Sequence, residues 1–254
     1  MRIARTASEL RATLDPAAEI GLVPTMGAFH AGHLALFRAA RAENEVVVVS
    51  LFVNPAQFDS ADDLAAYPRD EERDTRMAEE AGADVLFVPT ADELYPPGYQ
   101  TWVDVEELSR GLEGAARPGH FRGVATVCCK LFNLVRPRRA YFGQKDAQQV
   151  AVVRRMARDL NLDVEIRVLT TVRDPDGLAV SSRNVLLAPA ERERALALPR
   201  ALATRDATQA RELLDGVAVD YLEVADFEPR VLAGAIRVGR TRLIDNIVLE
   251  GDTE

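Results

Sequence analysis

Three histidines occur in the 254-residue chain, and two share one glycine-bearing turn, Pro24-Thr25-Met26-Gly27-Ala28-Phe29-His30-Ala31-Gly32-His33. The apolar run Ile20-Gly21-Leu22-Val23 before it reads as a buried strand, and Leu34 to Arg41 after it reads as a helix. Strand, tight turn and helix N-terminus together make an anion site in open α/β folds. The N–H groups of the first helical turn point at the ligand, and the helix dipole favours negative charge. Gly27 and Gly32 let backbone approach that ligand with no Cβ in the way. His30 and His33, at i and i+3, add imidazole donors on one side of the turn. The same spacing would suit a metal pair, but no cysteine or carboxylate lies beside them to complete a zinc set. A pair that reads phosphate is the better account.

Three further stretches carry polar groups in comparable settings. Asn54-Pro55-Ala56-Gln57-Phe58 closes Val46 to Val53, a run apolar on both faces, and so sits at the carboxyl end of a central strand, where open sheets bind ligands. A buried glutamine amide there holds a hydroxyl or carboxylate oxygen with a donor and an acceptor. Arg117-Pro118-Gly119-His120-Phe121-Arg122-Gly123-Val124 carries the third histidine, again beside glycine at a helix start. Phe142-Gly143-Gln144-Lys145-Asp146-Ala147-Gln148-Gln149 repeats the plan of the first turn. Lys145 offers a mobile charge for phosphate oxygens. Asp146 can cap the helix and accept ribose hydroxyls, and Gln149 lies one helical turn beyond Lys145. In Asp176-Gly177-Leu178-Ala179-Val180-Ser181-Ser182-Arg183-Asn184, two hydroxyls and a guanidinium in a row suit triphosphate oxygens, with Gly177 as a hinge. Taken singly, each stretch also has a bland reading: a loop glutamine, a solvated turn histidine, a surface Lys–Asp pair, a polar loop.

Taken together and in this order, the four motifs resemble the pantothenate synthetase family, the pantoate–β-alanine ligases, within the nucleotidyltransferase superfamily marked by the HIGH-type His-x-Gly-His signature. The resemblance runs from about residue 20 to 187, with a weaker tail from Val217 to Ile247. It implies ATP contacts at Pro24, Thr25, Met26, Gly32, Gly143, Lys145, Asp146, Ser181, Ser182 and Arg183, and at the Val172 backbone, where adenine would lie. It implies that His30, His33, Lys145, Ser181, Ser182 and Arg183 serve catalysis, the last three on a mobile loop. It places pantoate or β-alanine against Asn54, Gln57, His120 and Gln149, with Arg117 a further contact. The implied reaction has two steps: the pantoate carboxylate attacks the α-phosphorus of ATP, and the β-alanine amine then attacks the acyl adenylate. Mg²⁺ is implied on the phosphate oxygens, with no metal ligand of the protein's own assigned, and so is a homodimer. The chain departs from the pattern twice. Gln144 stands where the family commonly has glutamate, and the segment between Arg192 and Val217 looks short.

The elements that must position these groups follow from periodicity. Strand and helix patterns alternate through the first two thirds. After the first turn come an exposed helix Asp70 to Ala81, a strand Val85 to Val88 and a helix Phe121 to Val135. A strand Ala140 to Phe142, a helix Ala147 to Leu160 and a strand Val164 to Leu169 complete the series. That alternation predicts an α/β chain with a Rossmann-like, doubly wound parallel sheet over 1–171. Beyond the turn signal Asp174-Pro175-Asp176-Gly177 the alternation stops. A charged helix, Ala190 to Ala203, precedes three β-patterns, Val217 to Val224, Ile236 to Gly239 and Arg242 to Leu249. They predict a smaller C-terminal α+β lid domain over 172–254.

Composition narrows the function classes. The chain is 48% hydrophobic and 28% charged, as suits a globular protein with a real core, and its net charge of −9 leaves no basic surplus for nucleic acid. No apolar run reaches membrane-spanning length, and the start, Met1-Arg2-Ile3-Ala4-Arg5, lacks a signal-peptide core, so no membrane partner and a cytoplasmic location are expected. Cys128 and Cys129, adjacent within a helical pattern, read as small buried hydrophobes. Two rivals remain. A cytidylyltransferase shares His-x-Gly-His, but its phosphorylated substrate gives no reason for paired Gln57 and Gln149, which suit an uncharged polyol. A non-catalytic nucleotide-binding protein would have lost a histidine or Lys145, and none is lost.

Overall fold

Leu36, Phe37 and Ala40 recur at helical spacing and bury one face of a helix against strands that are apolar on both sides, and this contact organises the first half of the molecule. The computed structural model describes residues 1–249. Its elements run β1 (Arg2–Ala4), α1 (Ala7–Thr13), β2 (Ile20–Thr25), α2 (Ala31–Glu43), β3 (Val46–Leu51), α3 (Ala61–Ala66), α4 (Glu71–Glu80), β4 (Val85–Phe87), α5 (Ala91–Leu94) and α6 (Leu112–Ala116). They continue with α7 (His120–Val135), β5 (Arg139–Gly143), α8 (Ala147–Asp159), β6 (Glu165–Leu169), α9 (Pro189–Ala195), α10 (Ala197–Leu202), α11 (Ala207–Leu213), β7 (Ala218–Ala225), β8 (Val231–Val238) and β9 (Thr241–Val248).

Packing divides the chain into two units: Met1–Phe142 with Val152–Leu169, and Gly143–Ala151 with the residues from Thr170 onward. The first unit holds a six-stranded parallel sheet in the order β1-β4-β3-β2-β5-β6. The strand order reverses beside β2, so the turn after Thr25 and the loop after Leu51 both leave carboxyl ends of central strands, where a doubly wound sheet opens a crevice. The sheet is thus the Rossmann-like one that the alternation predicts. Val23, Phe29, Phe37, Val47, Val49 and Leu86 form its core with α2.

The second unit holds an antiparallel sheet, β7-β8-β9, whose core joins Leu198 and Leu202 of α10 to Leu222, Leu232 and Ile236 of the strands. Two details differ from the periodicity. The stretch Ala190 to Ala203 forms two helices, because Pro199 has no N–H to continue the ladder and the chain breaks at Leu196. The strand expected over Ile236 to Gly239 begins at Val231 instead. Six consecutive buried residues there erase the alternation that marks a half-exposed strand. Among the described residues no helix is long and apolar enough to cross a membrane. Burial pushes the Cys128 thiol up to about 12, in keeping with a packing role.

At the opposite, amino end of the sheet a buried polar knot ties β2 and β5 to α2. Asn44 Nδ2 donates to the Tyr141 hydroxyl at 2.7 Å, which donates to Glu43 at 2.9 Å. Gly21 gives this knot its room, since a Cβ there would fall 2.5 Å from Asn44 Nδ2 and 2.8 Å from its Cγ. Gly21→Ala is therefore expected to cost about 1–3 kcal/mol. Urea unfolding would show a lower midpoint with unchanged slope, and an unshifted midpoint would contradict the packing described.

Candidate active site

After β2 the chain turns through two successive residues of positive φ, Gly27 at 85° and Ala28 at 53°. This brings the N–H groups of Ala28 and Phe29 to one place, and a carboxylate from α4 receives both: Asp74 Oδ2 accepts from Ala28 at 2.7 Å and Oδ1 from Phe29 at 2.8 Å. Asp74 is 1% exposed. Its neighbour Arg73 donates to the Phe29 carbonyl at 3.0 Å, so α4 holds the turn by both backbone polarities. Thr25 braces the turn from below, donating from Oγ1 to the Ser50 carbonyl at 2.6 Å and accepting from Gly27 N at 3.3 Å.

The turn delivers His30 to the N-terminus of α2, with His33 three residues on. Their rings lie 4.1 Å apart, and the His30 N–H donates to His33 Nδ1 at 3.3 Å. With Nδ1 accepting, the neutral His33 ring carries its proton on Nε2 and presents a donor there. Phe29 and Phe37 pack on the same ring, at 5.4 and 6.5 Å between centroids. His30 folds back over Gly32, where a Cβ would stand 3.0 Å from its Cε1, so a side chain at this position would push the His30 ring aside by a few tenths of an ångström.

The Gln57 region is built by the loop after β3 and the start of α7. The Asn54 side chain caps the short 3₁₀ turn Pro55–Gln57 by accepting from Ala56 N at 3.3 Å. Its amide donates to Gln57 Oε1 at 3.0 Å and to the Gly123 carbonyl at 3.1 Å. Asn54 is 1% exposed and stands behind Gln57, its side chain committed to the protein. Gln57 Nε2 in turn donates to Met26 Sδ at 3.0 Å, which joins this loop to the histidine turn. His120 Nδ1 lies 2.8 Å from the Gln57 carbonyl; since a carbonyl only accepts, Nδ1 is the donor. Arg117 donates to the same carbonyl at 3.3 Å and stands 3.9 Å from Asp59 and 3.7 Å from Asp63, which ties its guanidinium to the loop. Gly123 permits all of this, since a Cβ would meet the Ala56 oxygen at 2.3 Å and Gln57 N at 2.6 Å.

The second unit carries the other expected residues. Gly143 leads into a 3₁₀ turn, Gln144–Asp146, that opens α8, and Lys145 Nζ stands 3.6 Å from Asp146 Oδ1. Gln149 is half-buried in the first turns of α8. Val172 accepts from Val180 N at 2.9 Å across a hairpin closed by the Arg173–Ala179 bridge. Ser181 caps the 3₁₀ segment Ser182–Leu186 by accepting from Arg183 N at 3.3 Å. The first unit therefore brings together Pro24, Thr25, Met26, Gly32, His30, His33, Asn54, Gln57 and His120. The second holds Gly143, Lys145, Asp146, Gln149, Val172, Ser181, Ser182 and Arg183.

Residue patterns alone do not single out Asp74. Its signal is an acid on the stripe Asp74, Met77, Ala78, Ala81 of an otherwise charged helix, the stripe that faces the core. Asp245 and Asn246, buried polar residues of β9, escape the patterns as well.

Comparison with known proteins covers nearly the whole chain. The Pantoate-beta-alanine ligase family model matches residues 2–248. Pantothenate synthetase from Heliobacterium modesticaldum is 54% identical over 262 residues, covering 91% of this chain and 92% of that protein. The one from Roseiflexus castenholzii is 52% identical over 277 residues, covering 98% of this chain and 100% of that protein; this alignment is longer than the chain, so that relative carries residues absent here. The crystal structure of pantothenate synthetase from Thermus thermophilus superposes with a TM-score of 0.94 at 46% identity, over 99% of this chain and 100% of that one. The pantoate-beta-alanine ligase of Francisella tularensis, solved in complex with beta-gamma ATP and beta-alanine, gives 0.88 at 34% identity, over 99% of this chain and 98% of that one. By its matched length, its identity to these enzymes and its fold, the chain belongs to the pantoate–β-alanine ligase family.

Proposed function

We infer that the ATP-dependent joining of pantoate to β-alanine, the activity of this family, runs here through a pantoyl adenylate. In the first step the pantoate carboxylate attacks the α-phosphorus of ATP and pyrophosphate leaves. In the second the β-alanine amine attacks the acyl carbon, forming the amide of pantothenate and releasing AMP. Chemistry of this kind depends on positioning and on stabilising charge that develops on phosphate oxygens, without a covalent enzyme group.

The observation that carries the reading is the contact of Gln57 with Met26. It sets a buried, uncharged amide directly beside the histidine turn. Gln57, oriented from behind by Asn54, and the His120 ring offer hydrogen bonds to hydroxyls and to a carboxylate, as a polyol acid requires. A phosphorylated alcohol, the substrate type of a cytidylyltransferase, would call for cations there, and Arg117 is engaged by Asp59 and Asp63. His30, the Nε2–H of His33, Lys145, Ser181, Ser182 and Arg183 are assigned to the phosphates of ATP. Asp146 takes the ribose, the Val172 backbone reads adenine and Gln149 takes pantoate. Mg²⁺ would be held on the phosphate oxygens, where it would neutralise their charge. A homodimer completes the reading, and light scattering would show twice the 27.9 kDa chain mass.

Labelled pyrophosphate is expected to exchange into ATP when pantoate and Mg²⁺ are present and β-alanine is withheld. Exchange should vanish without pantoate, and CTP should not replace ATP. A strict need for β-alanine would overturn the stepwise order. His30→Ala and His33→Ala should each lower the exchange rate by roughly 10²–10³, the scale of one lost transition-state donor; near-normal rates in both would remove the histidines from the phosphates. Asp74→Asn places an amide N–H against one of the two backbone N–H groups and leaves that group unpaired, at a cost of about 1–3 kcal/mol. Exchange should fall at least tenfold while the variant stays folded, and an unchanged rate would show that the turn does not need this anchor.

A further inference from the structure

Asn246 lies on β9 and is 4% exposed. All three of its side-chain hydrogen bonds go to one short segment. Nδ2 donates to the carbonyl of Gln144 at 2.9 Å and to the carbonyl of Lys145 at 2.9 Å, while Oδ1 accepts from Gln144 Nε2 at 3.0 Å. An asparagine amide has two donors, and both are spent on consecutive carbonyls of the turn that presents Lys145. Aspartate has the same shape and no donor, serine has one donor, and glutamine is a methylene too long. The demand for this residue type is therefore set by the turn.

The preceding residue does comparable work. Asp245, 3% exposed, receives Arg173 through two nitrogens at 2.6 and 3.1 Å and accepts from the Asn246 N–H at 2.8 Å. Arg173 also donates to the Gly177 carbonyl at 3.1 Å, at the base of the segment that carries Ser181 to Arg183. Two adjacent residues of one strand thus anchor both polar loops of the second unit. Buried polar groups in a sheet core cost stability unless fully satisfied, and a plain apolar pair would hold the sheet as well. Their chemistry answers to the loops.

We propose that Asn246 is a positioning residue for adenylate formation: it acts through Lys145, by holding the two carbonyls that flank the lysine, with Gln144 as its matched partner. The proposal rests on the reading of Lys145 as a phosphate contact. Gln144 is matched because its amide donates to Asn246 Oδ1.

A double-mutant cycle tests this, with pyrophosphate exchange as the readout. Asn246→Asp should slow exchange roughly 10–100-fold, the scale of one or two hydrogen bonds lost in a buried turn. Transfer of β-alanine onto supplied pantoyl adenylate should stay within about twofold of wild type, because that step does not expel pyrophosphate. In a Lys145→Ala background the same substitution should cost less than about threefold, because its target is already gone. An equal loss in both backgrounds, an equal fall of both half-reactions, or no loss at all would overturn the proposal. If Lys145→Ala alone leaves exchange untouched, the reading of Lys145 fails, and the proposal built on it falls too. If Asn246→Asp does not fold, Asn246→Ser, which has one donor in place of two, takes its place in the same cycle with the same criteria.

Discussion

Two backbone N–H groups, those of Ala28 and Phe29, shape the histidine turn of the first unit more than any side chain does. The positive φ angles at Gly27 and Ala28 turn them out of the sheet, and they lie ahead of the helix, so neither ladder can take them. Buried N–H groups must be satisfied, and successive N–H groups in such a turn form a concavity that suits an anion. Asp74, 46 residues away from Ala28 in the chain, supplies it. The left-handed backbone at Ala28 costs on the order of 1 kcal/mol, and the two charge-assisted bonds offset it. From that anchor the rest follows in sequence. The turn sets where α2 begins, the helix start sets the His30–His33 pair, and the pair sets which imidazole nitrogen carries the proton.

The same logic recurs wherever a loop carries a functional group. Loops lack ladders of their own, so a group that must be held to a fraction of an ångström needs a distant side chain to satisfy its backbone. Asp74 does this for the turn at Ala28 and Phe29, and Asn246 for the Lys145 turn, each of them buried, polar and far away in sequence. Asn54 works at short range, three residues from Gln57, and orients that side chain and not its backbone. Each of these side chains spends its hydrogen bonds on protein, so the candidate residues beside it are held within their own unit, with part of the ordering entropy met during folding.

Much of this was legible from residue types. The strand, glycine turn and helix start around His30, the central-strand character of Val46 to Leu51, and the repeat of that plan at Gly143 all follow from local pattern. So does the parallel sheet, because alternation is a property of the chain itself. What escaped was long-range. Asp74 sits in a helix that reads as solvent-facing, and only the apolar residues three and four positions on show that it faces inward. Asn246 follows Asp245 in its strand, and alternation, which puts the two on opposite faces, does not mark both as buried. Both are buried because of partners roughly 45 and 100 residues away, a separation no window of periodicity spans. The helices Ala7–Thr13, Ala61–Ala66 and Ala207–Leu213 escaped because each is about two turns long and is held by its cap and by packing.

The central claim is that the pantoate carboxylate becomes bonded to the α-phosphorus of ATP, with the protein supplying position and charge and no covalent group. The fate of the carboxylate oxygen reports this directly. With pantoate labelled by ¹⁸O in its carboxylate, one full turnover with ATP and β-alanine is predicted to leave one labelled oxygen in the phosphate of AMP, none in pyrophosphate and the remaining label in the amide of pantothenate. Label in pyrophosphate or orthophosphate, or unlabelled AMP, would contradict the account, because it would place the attack at another phosphorus or bypass the mixed anhydride altogether.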